Sequence, residues 1–84
     1  MLTLVNLPNL VQGDRGMAVA ILQRLLVLYG YDQLLQPADV DGIFGEGTLK
    51  AVKAFQGDHY LLKDGKVGAL TWKALAYPFS NPNL

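Results

Sequence analysis

The sequence predicts an all-α fold, a compact three-helix bundle preceded by an extended N-terminal arm. Three separate stretches carry recurring apolar residues, and in the first two they recur at three- or four-residue intervals, which is the spacing of one helix face. A D-G-x-x-G turn motif that suits the start of a helix occurs before two of them. The 84 residues are enough for one domain, with a core of about residues 8–76 and a loose tail at 77–84.

The first predicted helix spans residues 17–29. Its apolar face consists of Val19, Leu22, Leu26 and Tyr29. Gly30 follows the last of these and suits a left-handed C-terminal cap. The preceding arm, residues 1–16, is apolar but broken by Pro8 and two glycines. We therefore expect an extended segment that turns at residues 13–16.

Two shorter helices complete the prediction. The second spans residues 46–56, with an extension to His59 left open, and its apolar face consists of Leu49, Val52 and Phe55. The third spans residues 69–76, and its apolar face consists of Leu70, Trp72 and Leu75. We expect Pro78 to end this helix because proline lacks the amide donor that a helix needs.

The motif before the second and third helices is an internal repeat. Residues 41–51 and 64–74 both fit D-G-x-x-G-x-x-T-x-K-A, with six of eleven positions identical and a 23-residue offset. In each copy we expect a tight turn, an apolar fourth residue in the core, and a glycine at the helix N-cap. The threonines, Thr48 and Thr71, lie where a hydroxyl can reach unpaired backbone groups of the first turn. Most of the repeat is thus interpreted as architectural.

Gly47 lies inside the first turn of the second predicted helix. Alanine is favoured over glycine there by roughly 0.5–1 kcal/mol. The sequence therefore predicts that Gly47→Ala stabilises the domain, and that Gly45→Val, at the helix start, is the more harmful change.

Composition argues against several functions. Seven basic and seven acidic side chains give zero formal charge, so no basic surface for nucleic acid is expected. No apolar run reaches 18 residues, so no membrane span is expected. The "ADVDG" segment fails as a calcium loop, because Pro37 and Thr48 occupy two ligand positions. His59, the single histidine, cannot form a zinc site without cysteine, so neither metal nor cofactor is expected.

Candidate catalytic groups are few. No Ser-His-Asp arrangement is plausible, and Ser80 lies in the tail. Asp41 and Glu46 form a carboxylate pair in a surface turn, with nothing in the sequence to raise a pKa. The sequence therefore predicts a protein that is not an enzyme.

The motifs together resemble the peptidoglycan-binding domain family of bacterial cell-wall hydrolases. The resemblance covers roughly residues 8–76, in "GDRGMAVAILQRLLVLYGY", "VDGIFGEGTLKAVKAFQ" and "DGKVGALTWKAL". The matching positions are Gly16, Val19, Leu22-Gln23, Leu26, Gly30-Tyr31, Asp41-Gly42, Phe44-Gly45, Thr48, Ala51-Val52, Phe55-Gln56, Thr71-Trp72 and Leu75. Two features depart from the family pattern: Glu46-Gly47 after the motif glycine, and the length of the "DQLLQPAD" loop.

The resemblance implies a non-catalytic module of three α-helices that attaches a cell-wall enzyme to peptidoglycan. It also implies a catalytic hydrolase domain in a larger parent chain, and a place in the cell envelope or outside the cell. No signal peptide is recognised, and a monomer is expected. The alternative is a protein-interaction or spacer domain that keeps the fold without binding cell wall.

The candidate ligand site is a shallow groove around the first copy of the motif. Its proposed members are Tyr31, Asp41, Gly42, Gly45, Thr48 and Lys50. Asp41 offers acceptors, the backbone from Gly42 to Gly45 is accessible, and Tyr31 offers an aromatic face. Amides at the start of the second helix favour an anionic ligand group, which Lys50 can pair with.

Overall fold

Four helices form the described part of the chain. The structure, a computed structural model, describes residues 7–36 and 40–80, with side chains described up to residue 76. Helix α1 is Met17–Leu28, α2 is Asp32–Leu35, α3 is Glu46–Asp58 and α4 is Ala69–Ser80. The three longer helices correspond to the three predicted ones, so the all-α bundle is confirmed. Residues 1–6, 37–39 and 81–84, with the end of the predicted loose tail, lie outside the described residues.

The core lies where the three longer helices face one another. The buried apolar side chains are Leu10, Val19, Leu22, Leu26, Leu35, Phe44, Ala51, Val52, Phe55, Val67, Trp72, Leu75 and Ala76. Phe44 and Val67, the apolar residues of the two turn motifs, are both fully buried, as predicted. Leu70 differs from the prediction: its side chain is 73% exposed, on the outer surface of α4.

The N-terminal arm joins the two copies of the turn motif. Leu10 and Val67 exchange two backbone hydrogen bonds, of 2.9 and 2.8 Å. Further along the arm, the amide of Gly16 donates to the carbonyl of Gly42 at 2.9 Å. The indole of Trp72 donates to the carbonyl of Pro8 at 2.9 Å. The described part of the arm is thus extended except for a turn at residues 11–14, and it is held by both turn motifs.

Helix α4 continues through Pro78 to Ser80, so the prediction that Pro78 ends it is wrong. Because proline has no N–H, the carbonyl of Ala74, four residues earlier, loses its usual helical donor. The hydroxyl of Tyr29 donates to this carbonyl at 3.1 Å. A side chain of α1 thus supplies the hydrogen bond that proline cannot make.

The short helix α2 was not predicted, and it changes the interpretation of Gly47. Leu35, in α2, is buried against the core. A Cβ atom added at Gly47 would lie 2.8 Å from the backbone carbonyl oxygen of Leu34. Gly45, by contrast, has open space around it and an ordinary φ of −102°. The prediction that alanine at Gly47 stabilises the domain is therefore wrong, because glycine permits the close approach of α2.

Candidate functional site

A buried glutamine of α1 organises the first turn motif. Gln23 is 1% exposed. Its amide nitrogen lies 3.0 Å from the carboxylate of Asp41, the carbonyl of Ile43 and the hydroxyl of Thr48. Its Oε1 accepts from the amides of Asp41 and Gly42, at 3.1 and 2.9 Å. One side chain thus fixes the whole turn from inside.

Gln56, in α3, does the same for the second motif. Its amide nitrogen donates to the carboxylate of Asp64 at 3.2 Å, the carbonyl of Lys66 at 2.9 Å and the hydroxyl of Thr71 at 3.2 Å. Its Oε1 accepts from the amide of Gly65 at 2.9 Å. The repeat therefore includes a glutamine in the long helix that comes before each turn, α1 for the first and α3 for the second. An alignment of the motifs alone misses it, because 18 residues separate the first glutamine from its aspartate and eight separate the second pair.

Both aspartates fix their turns. Asp41 Oδ1 accepts from the amide of Ile43 at 3.0 Å, and Asp64 Oδ1 accepts from the amide of Lys66 at 2.9 Å. The hydrogen bond from Gln23, followed by that from the Ile43 amide, lowers the pKa of Asp41. For Asp64 the amide of Lys66 is the largest cause of a lowered pKa. Both aspartates therefore have the architectural role that was predicted for most of the repeat.

The threonines do not cap the helices as expected. Gly45 is the N-cap of α3, as predicted, and the cap makes no side-chain hydrogen bond. Thr48 is 3% exposed, and its hydroxyl accepts from the amide nitrogen of Gln23. Thr71 accepts in the same way from Gln56. Thr48 thus joins α3 to Gln23 of α1, and Thr71 joins α4 to Gln56 of α3, which leaves little of either hydroxyl for a ligand.

The outer surface of the first turn has a depression of about 230 Å³. Its lining residues are Leu35, Gln36, Asp41, Ile43, Gly45, Glu46, Gly47 and Thr48. Three of the predicted site residues, Asp41, Gly45 and Thr48, therefore meet here, and Gly42 lies in the same turn. The carboxylates of Asp41 and Glu46 make this surface acidic, so it suits hydrogen-bond donors and cations better than the anionic group that the helix start alone suggests.

The structure places Tyr31 elsewhere. Its hydroxyl donates to Asp58 at 2.6 Å. Burial, with this hydrogen bond and the negative charge of Asp58, raises the pKa of Tyr31 to about 12. Asp58 is the last residue of α3, and Gly45 directly precedes the first residue of this helix. At a rise of 1.5 Å per residue, the helix separates Asp58, and with it the Tyr31 hydroxyl, from Gly45 by about 20 Å. Lys50 is exposed on α3 and does not line the depression.

The second turn has a larger depression, of about 420 Å³. Its lining residues are Asn9, Val11, Gln56, Leu61, Leu62, Asp64, Lys66, Val67, Gly68, Ala69, Leu70 and Thr71. Leu62 and Leu70 are 80% and 73% exposed. The sequence predicts a ligand site at the first copy only. The helical spacing assigns Leu70 to the core, and its exposure in the structure is the signal that points to the second copy.

The described residues offer neither a metal site nor a membrane span. They contain no group of three or more His, Asp or Glu side chains that could hold a metal ion. None of the helices among them has the length and apolar character required to cross a membrane.

Comparison with known proteins identifies the class of domain that this fold and these turns define. The sequence profile of the peptidoglycan-binding domain family matches residues 15–75, which include both turn motifs and both glutamines. The chain is 48% identical over 73 residues to a Kitasatospora aureofaciens protein named "Uncharacterized protein in bpoA1 3'region". That match covers 87% of the chain and 59% of the relative, so the chain spans about three fifths of the relative's length.

Solved structures agree with this match. The SleB N-terminal domain superposes with a TM-score of 0.77 at 33% identity, over 87% of this chain and 94% of that one. A Burkholderia AP3 phage endolysin gives 0.74 at 40% identity, over 89% and 27%. A peptidoglycan-binding protein from Clostridioides difficile, in complex with glutamine hydroxamate, gives 0.73 at 33% identity, over 82% and 40%. The chain belongs to the peptidoglycan-binding domain family.

Proposed function

We propose that this chain is a non-catalytic module that attaches a bacterial cell-wall enzyme to peptidoglycan. The observation that carries the proposal is the family match over residues 15–75. Its counterparts form 27% of a phage endolysin and 40% of a peptidoglycan-binding protein, so this fold occurs as one part of longer chains. A catalytic hydrolase domain in the parent chain and a place in the cell envelope or outside the cell follow from the same proposal.

The depression at the first turn is the proposed contact for the peptide part of peptidoglycan. The carboxylates of Asp41 and Glu46 can accept hydrogen bonds from the amide and amino groups of stem peptides. The site is shallow, so affinity is expected in the millimolar to micromolar range. Tyr31 and Lys50, the other members of the sequence-based site, lie outside this depression and are assigned no contact in it.

Two experiments test this function. In the first, the protein is sedimented with purified insoluble peptidoglycan, and we expect it in the pellet. A protein that stays in the supernatant would favour the spacer domain instead. In the second, the pure protein is incubated with labelled peptidoglycan. Release of soluble fragments would contradict the non-catalytic role.

The first-turn site is tested by NMR titration with soluble muropeptides. We expect the amide signals of residues 41–48 to shift, and we expect Glu46→Gln to weaken the binding. Asp58→Asn is the matched control, since it also removes one negative charge on α3 but lies at the end of the helix opposite the depression. Equal effects of the two variants, or unchanged signals at residues 41–48, would rule this site out.

A further inference from the structure

Tyr60 has a backbone conformation that tyrosine rarely adopts. Its φ is +60°, and it is the one non-glycine residue with positive φ among those that the structure describes. The left-handed conformation costs roughly 1–2 kcal/mol for a residue with a Cβ atom. The side chain is 97% exposed, so burial does not offset this cost.

The chain contains its own comparison, because α1 ends in the same motif with a glycine. After α1, Gly30 has a φ of +93°, and the next amide, of Tyr31, donates to the carbonyl of Leu26 at 2.9 Å. After α3, Tyr60 takes the place of this glycine, and the amide of Leu61 donates to the backbone carbonyl of Gln56 at 2.9 Å. Glycine is the residue that this helix end favours. The fold therefore gives no reason for a tyrosine at position 60.

The tyrosine adjoins the larger of the two depressions described above. Leu61 and Leu62, which follow it directly, line the 420 Å³ depression of the second turn. Exposed apolar side chains cover much of this surface, and Asp64 and Lys66 lie at its polar edge. An exposed aromatic ring next to an apolar hollow with polar groups around it is suited to a ligand with both apolar and hydroxyl surfaces.

We propose that Tyr60 and the second-turn depression bind the glycan strand of peptidoglycan. The ring of Tyr60 stacks on the C–H face of an N-acetylated sugar. The methyl of the N-acetyl group enters the apolar hollow beside Leu62 and Leu70, and sugar hydroxyls donate to the carboxylate of Asp64. This proposal rests on the proposed function and extends it, because it assigns the glycan to the second turn and the peptide to the first.

The decisive variant is Tyr60→Gly, because it should change stability and binding in opposite directions. We expect a higher melting temperature, since glycine suits the left-handed conformation, and at least tenfold weaker binding to insoluble peptidoglycan. Tyr60→Phe should bind within about twofold of the wild type, because it keeps an aromatic face. The control is Met17→Ser, which removes an exposed apolar side chain on α1, where Met17 is 77% exposed. It should leave binding unchanged.

A soluble oligomer of β-1,4-linked N-acetylglucosamine, which has no stem peptide, identifies the ligand. In an NMR titration it should shift the signals of residues 60–71 and leave residues 41–48 unchanged. Peptidoglycan binding that depends on Tyr60 without a response to this oligomer would overturn the assignment to glycan.

The remaining outcomes separate this inference from the proposed function. If Tyr60→Gly binds peptidoglycan as tightly as the wild type does, the inference is overturned and the proposed function stays intact. Wild-type protein that does not bind peptidoglycan overturns both. A lower melting temperature for Tyr60→Gly would show that the tyrosine supports the fold, and this too would overturn the inference.

Discussion

Replacement of Gln23 by methionine should destabilise the domain by about 3 kcal/mol. Methionine has nearly the same length and flexibility, so it fills the same space in the core without the amide group. The change therefore removes the hydrogen bonds to the first turn and creates little cavity. The exposed Gln33→Met, in α2, is the matched control and should change stability by less than about 0.5 kcal/mol.

The magnitude follows from the contacts of the side chain. The amide nitrogen has two hydrogens for three acceptors at 3.0 Å, and Oε1 accepts from two backbone amides. That is about four full hydrogen bonds, each with a net contribution of about 0.5–1.5 kcal/mol. Part of the turn is open to water, which can replace some of these bonds, so we place the loss at about 3 kcal/mol, in the lower half of the resulting range of about 2–6 kcal/mol. A domain of 84 residues has a stability of about 4–13 kcal/mol, so this loss is a large fraction of it.

Urea denaturation followed by circular dichroism measures this effect. The wild type, Gln23→Met, Gln56→Met and Gln33→Met should be compared under the same conditions. We expect the loss at Gln23 to exceed that at Gln56 by about 1 kcal/mol, because Gln56 accepts one backbone hydrogen bond where Gln23 accepts two. A loss below 1 kcal/mol at both positions would refute the argument that the glutamines hold the turns.

Two further predictions concern stability. Gly47→Ala should lower the stability by about 1 kcal/mol or more, because its Cβ would lie 2.8 Å from a backbone oxygen. Gly45→Ala has open space around the new Cβ and should be nearly neutral in the same urea assay. A stabilised Gly47→Ala would contradict the close approach of α2. The lowered pKa values of Asp41 and Asp64 mean that the folded state binds fewer protons than the unfolded state in acid. The stability they give should be present above about pH 3.9, the ordinary aspartate pKa, and lost as the pH falls through their lower folded values. Urea midpoints from pH 7 to 2.5 should show this loss, and the Asp41→Asn/Asp64→Asn double variant should show a smaller one.

The helices and the turns were predictable from the sequence because both depend on local physics. Val19, Leu22 and Leu26 had to share one face of a helix at their spacing, and all three are fully buried. The glycines after the two aspartates had to allow a tight turn, and Gly42 and Gly65 have φ values of +75° and +76°. Each of these features is decided within a few residues of chain.

The features that could not be predicted from the sequence depend on contacts between distant residues. The role of Gln23 lies in partners 18–25 residues away, so neighbouring residues give no sign of it. Pro78 was expected to end α4, and the hydroxyl that replaces its missing donor comes from Tyr29, in another helix. The place of Tyr31 after α1 suggests a position beside Asp41, whereas its hydroxyl binds Asp58, at the opposite end of α3 from Gly45.

The position of the two glutamines also explains how one repeated motif can have two different surfaces. Gln23 and Gln56, together with the two aspartates, hold the turns, so the two residues after the second glycine of each motif contribute little to the shape of the turn. The first turn has Glu46 at its surface, whereas the second has Ala69 at the same place in the motif. Leu70, which replaces Gly47, adds an exposed apolar side chain to the second. Exchange of Ala69 and Leu70 for Glu and Gly should therefore change ligand preference at the second turn, while the turn itself keeps its conformation.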